Sequence, residues 1–395
     1  MASANSGTTT PSEPSIKRSQ SSRTGLYVGV AVIIVVIAIV GVSWQVGLFN
    51  AKKSTTGCSG APASTSIKGA GSTLVYPLMY QWETTYTQAS VNYASVGSGA
   101  GILQITAKTV DFGATDAPLN ASQRAAAPGV LTIPESAGAV VPIYNLPGLS
   151  KTLQFNGSIL AQIYLGTITN WNNSELQAIN PGVTLPNANI IVVERSDGSG
   201  TTFIWTSYLS AESATWKTQI GHSTVVQWPT GIKSKGNTGV TTTVQTTADA
   251  IGYVDINYAL TNSIAYGKVQ NPSGNYILAS VNNSAAALKD ANPTLPVGSG
   301  DWYNISALNA PGAGDYPIVS FTYLLVYQDL SAAFPSYTLA NAENLVDFID
   351  WGVTTGQSYS AQLYYIPLPA SVVTAVQTTL QSMTFGGSAV PLCVG

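Results

Sequence analysis

The sequence predicts an α/β domain with mostly parallel sheets that follows an apolar N-terminal helix. Two observations predict the domain: stretches typical of strands and of helices alternate over more than 100 residues, and three loops rich in Gly, Ser and Thr each join a strand to a helix. The loops lie at residues 69–73, 97–101 and 195–201. Ligands of such sheets bind at the carboxyl ends of the strands, where all three loops fall.

The predicted elements follow one another from residue 66 onward. Short apolar runs bounded by Gly, Asn or Ser predict strands, and runs with apolar residues three or four positions apart predict helices. We expect strands at residues 66–68, 91–96, 110–113, 140–144 and 190–194. We expect helices at residues 72–88, 102–107, 201–210 and 347–355.

The N-terminal part of the chain has the pattern of a membrane anchor. Residues 24–51 contain no charged side chain, and about 20 apolar residues in a helix span the ~30 Å hydrocarbon layer. We predict a disordered cytoplasmic tail at residues 1–23, a transmembrane anchor at 24–49 and a flexible tether at 50–65. The large domain that follows favours a single-pass protein with its C-terminal domain outside the cytoplasm. Processing beside Arg23, as in pilin-like signals, stays open.

The composition excludes a nucleic-acid partner and points to an exterior location. Only 8% of the residues are charged and the net charge is −3, against about 25% charged residues in a typical soluble protein. Such a chain has no basic field for nucleic acid. An acidic exterior and a hydroxyl-rich, sugar-covered surface each explain the low charge, and both can hold together. Five possible N-glycosylation sites fit the second explanation: Asn120, Asn156, Asn172, Asn282 and Asn304.

The two cysteines and the single histidine limit the available chemistry. Cys58 lies in the predicted tether and Cys393 lies near the C-terminus. In an oxidising exterior we prefer a disulfide between them, with two free thiols or lipidation of Cys58 as the alternatives. One histidine and no C-x-x-C spacing offer no metal site, so we predict neither metal nor cofactor.

The three loops have the chemistry of an anion-binding site. A strand, a small-residue loop and a helix leave backbone N–H groups and a positive helix end facing one point. Each loop also carries hydroxyl groups, and the third begins with Arg195, whose planar guanidinium matches phosphate. One such loop is more often an ordinary turn. Three of them in one domain indicate an anion-binding protein.

Longer motifs around these loops resemble the phosphate-binding subunits of phosphate ABC transporters. The motifs are KGAGSTLVYP at 68–77, VNYASVGSGAG at 91–101, VDFGATDAPL at 110–119, YLGTITNW at 164–171, RSDGSGTTF at 195–203, AIGYV at 250–254, FIDWGVTTG at 348–356 and YIPLP at 365–369. They follow in order over nearly the whole domain, so the match is specific. The anchor and the tail lie outside it.

The resemblance implies a type II periplasmic-binding-protein fold. In this fold two α/β lobes are joined by two crossing strands and close over a ligand between them. We expect lobe 1 to comprise residues 66–142 and 318–395, and lobe 2 to comprise residues 143–317. The crossings are expected near residues 141–145 and 317–325.

The resemblance also implies which residues bind phosphate. The first loop would contribute the hydroxyl of Thr73 and the backbone N–H of Leu74, a position where the family often has Phe. The second loop would contribute Ser98, and Asp116 would accept the proton that phosphate carries. The third loop would contribute the cation of Arg195 together with donors on Ser199, Gly200 and Thr201. Asp197 is expected to hold the guanidinium of Arg195 in place.

The sequence therefore predicts a membrane-anchored, extracytoplasmic receptor for inorganic phosphate rather than an enzyme. It would deliver phosphate to the membrane permease subunits of an ABC importer that a cytoplasmic ATPase drives. A surface phosphatase with Ser199 or Thr73 as nucleophile is disfavoured, because the only histidine, His222, has no evident relation to either residue. Two alternatives on the same fold stay open: a surface module, and a receptor for another tetrahedral oxyanion. Asp116 argues against the second, because sulfate has no proton to donate to it.

Overall fold

The computed structural model describes residues 66–392, and the strands and helices are numbered within that range. The strands are β1 (Ser66–Gly71), β2 (Ser90–Ser95), β3 (Phe112–Thr115), β4 (Val130–Asn145), β5 (Gln154–Phe155), β6 (Ile191–Arg195), β7 (Ile232–Ser234), β8 (Ala250–Asp255), β9 (Lys268–Gln270), β10 (Tyr276–Ile277), β11 (Val319–Tyr327), β12 (Thr384–Phe385) and β13 (Ser388–Ala389). The helices are α1 (Tyr76–Thr85), α2 (Ser98–Thr106), α3 (Ala121–Ala126), α4 (Gly157–Tyr164), α5 (Ser174–Ala178), α6 (Gly200–Glu212), α7 (Ala214–Gln219), α8 (Gly236–Thr246), α9 (Ile256–Thr261), α10 (Val281–Ala291), α11 (Leu330–Ala333), α12 (Leu339–Val353) and α13 (Ala370–Gln381). Two 3₁₀ helices cover Thr355–Tyr359 and Ala361–Leu363.

One large sheet organises the described part of the chain, with the strand order β2-β1-β3-β11-β4-β8-β6-β7. In its first half β1 pairs in parallel with β2 and β3, and in its second half β6 pairs in parallel with β7 and β8. The two central strands are antiparallel to their neighbours, β11 to β3 and β4, and β4 to β8. The predicted α/β class with mostly parallel pairing is therefore present in each half of the sheet.

Strand β4 belongs to both halves of the sheet. Its residues from Val130 to Ala139 pair with β11, and its residues from Val140 to Asn145 pair with β8. All of its residues except the first and the last are buried. Most of these buried residues are apolar, but Thr132, Glu135 and Ser136 are buried with them. The expected division into lobes at residues 142 and 318 stays a prediction.

Three helices differ in extent from the sequence prediction, for local reasons. The first begins at Tyr76 and not at residue 72, because the Leu74 N–H donates to Ser72 Oγ at 3.0 Å and closes a turn, after which Pro77 suits a helix start. The second begins earlier, at Ser98, because Gly97 adopts φ 97° and ends the preceding strand segment. The last begins at Leu339, behind a capping box at Thr338.

Several predicted features lie outside the described residues. These are the tail, the anchor and the tether, with Cys58, and also Cys393 near the C-terminus. Among helices within residues 66–392, none is both long enough and apolar enough to cross a bilayer. Four of the five possible glycosylation sites are exposed, whereas Asn156 is half-buried and caps α4 by accepting the Ile159 N–H at 2.8 Å.

Gly101 on α2 provides a test of this packing. A Cβ at Gly101 would lie 2.6 Å from the Cα of Gly71 and 2.7 Å from the carbonyl oxygen of Ala70, both backbone atoms of β1. Alanine would normally favour a helix by about 1 kcal/mol over glycine. We predict the opposite here: Gly101→Ala lowers the free energy of unfolding by about 1–3 kcal/mol, because α2 must move away from the sheet.

The measurement is urea unfolding of the full chain, followed by tryptophan fluorescence. The matched control is Gly314→Ala, because Gly314 is exposed and a Cβ there meets no atom within 4 Å. We expect that change to stay within about 0.5 kcal/mol of the parent. Equal or greater stability of Gly101→Ala would contradict the packing of α2 on β1.

Candidate functional site

The three predicted loops meet at the carboxyl ends of β1, β2 and β6. The second and third loops touch directly, because the Gly99 N–H donates to the carbonyl oxygen of Gly198 at 2.9 Å. Helices α2 and α6 begin in these two loops, so two helix N-termini contribute positive potential at this point. Gly200, the first residue of α6, packs so closely on the residue after β3 that an added Cβ would lie 2.5 Å from Asp116 Oδ2. The site therefore combines groups from both halves of the sheet.

Hydroxyl groups in the first and third loops are held as hydrogen-bond acceptors. Thr73 Oγ1 accepts from the backbone N–H of Asn237 at 3.1 Å and from its side-chain amide at 2.9 Å. Ser199 Oγ accepts from the Thr202 N–H at 3.0 Å, and Thr201 Oγ1 accepts from Asn237 Nδ2 at 3.1 Å. A hydroxyl has one proton and two lone pairs. In the described part of the chain these three oxygens only accept, so their protons are left to donate to an anion.

Asn237 is a site residue that sequence reasoning missed. It lies in the first turn of α8 and is fully buried, and its amide contacts both Thr73 and Thr201, which come from opposite halves of the sheet. Its Oδ1 accepts the Asp255 N–H at 3.2 Å. A signal was present: Gly236 and Asn237 follow the short strand β7, and Gly236 has φ 69°. This is a fourth unit in which a strand, a loop and a helix follow one another, and it also carries Ser234 and Thr238.

Arg195, the last residue of β6, is buried and forms an ion pair with the partly buried Asp197. Arg195 Nε and Nη2 donate to the two carboxylate oxygens at 2.9 and 2.6 Å. Burial acts to raise the pKa of Asp197, but the hydrogen bonds and charge of Arg195, with the Gly236 N–H, outweigh it and hold that pKa below its ordinary value. Arg195 Nη1 lies 3.4 Å from Thr201 Oγ1. That long contact leaves one edge of the guanidinium for a further acceptor.

Asp116 is the buried acceptor of the site. Its side chain is 1% exposed, and its Oδ1 accepts from Ser72 Oγ at 2.5 Å and from Thr322 Oγ1 at 2.9 Å. Its backbone N–H donates to Ser98 Oγ at 3.3 Å. Burial raises the pKa of Asp116 to about 6, and the hydrogen bonds from Ser72 and Thr322 and the charge of Arg195 limit the rise. At neutral pH Asp116 is therefore ionised and can only accept hydrogen bonds.

One predicted donor has a different partner in the structure. The Leu74 N–H donates to Ser72 Oγ, so an anion would have to share this N–H with the serine. Within residues 66–392 there is no group of three or more His, Cys, Asp and Glu residues that could hold a metal ion. The site thus offers one neutralised cation, several neutral donors and one buried acceptor, which suits an oxyanion that itself carries a proton.

Comparison with known proteins identifies the family. The PBP superfamily domain matches residues 56–354. The phosphate-binding protein PstS of Xylella fastidiosa (strain Temecula1) is 38% identical over 337 residues, which cover 83% of this chain and 88% of that protein. The chain belongs to the PstS family. PstS of Haemophilus influenzae is 40% identical over 319 residues, 79% of this chain and 92% of that protein. PstS of Methanocaldococcus jannaschii is 32% identical over 350 residues, which cover 84% of this chain and 88% of that protein.

Solved structures confirm the predicted periplasmic-binding-protein α/β fold. A phosphate-binding protein from Stenotrophomonas maltophilia superposes with a TM-score of 0.63 over 82% of this chain and 96% of that chain, at 19% identity. The periplasmic phosphate-binding protein PfluDING, solved with bound phosphate, gives a TM-score of 0.64 with the same coverage and identity. The PstS family consists of binding proteins, so the expectation that the chain is not an enzyme is confirmed.

The raised pKa of Asp116 predicts how stability depends on pH. A carboxyl whose pKa is raised on folding stabilises the fold fully only below its unfolded pKa, and this contribution is lost as pH rises through the folded pKa. We predict that this group removes about 2 kcal/mol from the free energy of unfolding between pH 4 and pH 7.

Urea unfolding of the ligand-free chain at intervals across this pH range measures the effect. Asp116→Asn cannot titrate, so its stability relative to the parent should improve steadily from pH 4 to pH 7. Parallel pH profiles for the two proteins would show that Asp116 is not buried in the way described.

Proposed function

We propose that the chain binds inorganic phosphate at the meeting point of the three loops and delivers it to an ABC-type phosphate importer. The observation that carries this proposal is the buried, ionised Asp116 placed beside an Arg195 that Asp197 already neutralises. The names of the PstS relatives, which are phosphate-binding proteins, support it independently.

Each side chain has a defined role in this proposal. Thr73, Ser98, Ser199 and Thr201 donate their hydroxyl protons to phosphate oxygens, and Arg195 donates from the edge that Asp197 leaves free. Backbone N–H groups of Leu74 and Gly200 add further donors. Hydrogen bonds to a charged ligand contribute about 1.5–3 kcal/mol each, and each helix N-terminus adds roughly 0.3–1 kcal/mol. These neutral donors hold the anion with one cation and little net charge.

Asp116 selects phosphate over sulfate by its protonation state. Phosphate carries at least one proton near neutral pH, whereas sulfate carries none. The phosphate O–H donates to the carboxylate of Asp116, but a sulfate oxygen would place its lone pairs against the same carboxylate. Sites that require a hydrogen bond from the ligand reject analogues without it by about 10⁴–10⁵-fold.

The proposed transport role needs the N-terminal part of the chain as well. The apolar segment at residues 24–49 anchors the receptor in the membrane, and the tether at 50–65 lets the outer domain reach the permease subunits. The two lobes, residues 66–142 with 318–395 and residues 143–317, close over phosphate and open to release it. A cytoplasmic ATPase drives the importer. The exterior location also permits a Cys58–Cys393 disulfide and sugars on the exposed sequons.

Calorimetric titration of the full chain with phosphate, and separately with sulfate, tests the proposal. We expect one phosphate per chain and no sulfate binding at pH 7.5. Asp116→Asn should lower phosphate affinity about 10–100-fold, because one hydrogen bond to a charged group is lost, and it should admit sulfate. Asp290→Asn, at an exposed carboxylate, is the matched control and should behave as the parent. Correctly folded protein that binds no phosphate would refute the proposed function.

Asn237 gives a second prediction, on a residue that the sequence motifs did not mark. Asn237→Ala removes the amide that aligns the hydroxyls of Thr73 and Thr201, so we expect phosphate affinity to fall about tenfold, equivalent to roughly 1.4 kcal/mol. The same titration measures it, with the exposed Asn187→Ala as control. An unchanged affinity would mean that the two hydroxyls are aligned without the amide.

A further inference from the structure

A β-bulge places a second carboxyl group next to the candidate site. In the pairing of β4 with β11, Thr322 lies opposite Ser136 and Tyr323 lies opposite Pro134, so Glu135 is the extra residue of β4. Bulges re-aim side chains and are frequent beside functional sites. Here the bulge brings Glu135 Oε1 to 3.1 Å from Thr322 Oγ1, which itself lies 2.9 Å from Asp116 Oδ1.

The two hydrogen bonds that join Asp116, Thr322 and Glu135 cannot both form if both carboxyl groups are ionised. The Thr322 hydroxyl has one proton and can donate it to only one of its two carboxyl neighbours. If both were ionised, the other contact would set lone pairs against lone pairs among three side chains that are at most 1% exposed. The chain of contacts therefore requires one additional proton, held by Asp116 or by Glu135.

The surroundings assign that proton to Glu135. Asp116 accepts a second hydrogen bond from Ser72 and is stabilised as an anion by the charge of Arg195. Glu135 has Thr322 as its side-chain partner, and its Oε2 contacts no donor in the described part of the chain. The pKa of Glu135 is raised to about 8, mainly by burial; its hydrogen bond with Thr322 opposes the rise, and the nearby charge of Asp116 adds to it.

We propose that Glu135 is a positioning residue for phosphate selection: it donates its proton to Thr322, which fixes the Thr322 proton on Asp116 and keeps Asp116 an acceptor. This rests on the proposed function. With Ser72 and Thr322 both donating to Oδ1, the other oxygen of Asp116, which faces Gly200, is left for the phosphate O–H. Loss of the Glu135 proton releases Thr322 from Asp116 and adds a second negative charge beside the anion.

Other titratable groups also lie near Asp116, Thr322 and Glu135. Tyr93 and Tyr365 both interact with it, but burial raises the pKa of each well above its ordinary value, and their hydroxyls donate to carbonyl oxygens of the first loop at 2.8 and 2.6 Å. Asp255 faces Asp116 from β8, and burial raises its pKa too. Helix α12, which packs on β4, carries three further carboxyl groups, Glu343, Asp347 and Asp350.

The test is the pH dependence of phosphate binding in the full chain and in Glu135→Gln. Glutamine can donate an N–H to Thr322 but cannot lose it as pH rises. We expect the two proteins to have phosphate Kd values within about threefold of each other at pH 6.5–7. The ratio of the parent Kd to the variant Kd should then rise about tenfold by pH 9.5, because only the parent loses a proton. The ionisation of phosphate itself cancels in this ratio.

Glu194→Gln is the matched control. Glu194 is also buried, has an unpartnered Oε2 within the described residues, and has a pKa that burial raises to about 7, but it makes no contact with Thr322 or Asp116 in the hydrogen bonds described. Its variant should follow the parent at every pH. A flat ratio for Glu135→Gln, or loss of phosphate binding in a folded Glu135→Gln protein at pH 7, would overturn the proposal. A parent that binds no phosphate at any pH would instead overturn the proposed function.

Infrared spectroscopy provides a second readout that does not depend on ligand binding. The ligand-free parent should show a protonated carboxylic acid C=O band that loses intensity with a midpoint near pH 8. Glu135→Gln should lack this titrating component, whereas the control variant should retain it. If Glu135→Gln does not fold, the parent titration still decides: absence of a component with that midpoint overturns the assignment of the proton to Glu135.

Discussion

The burial of an ionised Asp116 is the constraint on which the rest of the site depends. A buried carboxylate is costly unless donors surround it, and here those donors come from separate elements: Ser72 from the first loop and Thr322 from β11. The position of Gly200, at the start of α6, accepts only glycine, because the carboxylate of Asp116 occupies the space that a Cβ would need. The ends of several strands must therefore meet at one point, which the parallel pairing in each half of the sheet achieves.

The charged groups of the site lie in an ion pair and in hydrogen-bonded contacts with one another, and they do not form an extended surface of one charge. Arg195 and Asp197 form a largely buried ion pair, and such a pair adds little net stability to a fold because its desolvation offsets its attraction. Asp116, Glu135 and Asp255 are all buried, and burial raises the pKa of each. A chain with only 8% charged residues thus concentrates several of them in one place. Under the proposed function, a protonated anion in the site would offset the cost of burying these groups, and perturbed pKa values are common at functional sites.

The fold class and the three loops of the candidate site could be predicted from the sequence, because the chemistry of each loop depends on residues that are close in sequence. Small residues and hydroxyls after a strand indicate an anion site, and Arg195 and Asp116 stood within recognisable motifs. The start of α1 at Tyr76 was missed because Ser72 turns its side chain back onto the Leu74 N–H. Asn237 was missed because its importance arises from two hydroxyls that are distant in sequence. The bulge at Glu135 depends on the register between β4 and β11, which no local pattern specifies.

The central claim is that an ionised Asp116 accepts the proton of a bound phosphate. A neutron crystal structure of the phosphate complex tests this most directly, because it locates hydrogen nuclei. The account predicts a phosphate oxygen at about 2.5–2.7 Å from Asp116 Oδ2, with the hydrogen between them contributed by phosphate. A phosphate bound away from Asp116, or an Asp116 that carries its own proton and donates it to a fully deprotonated anion, would contradict the account.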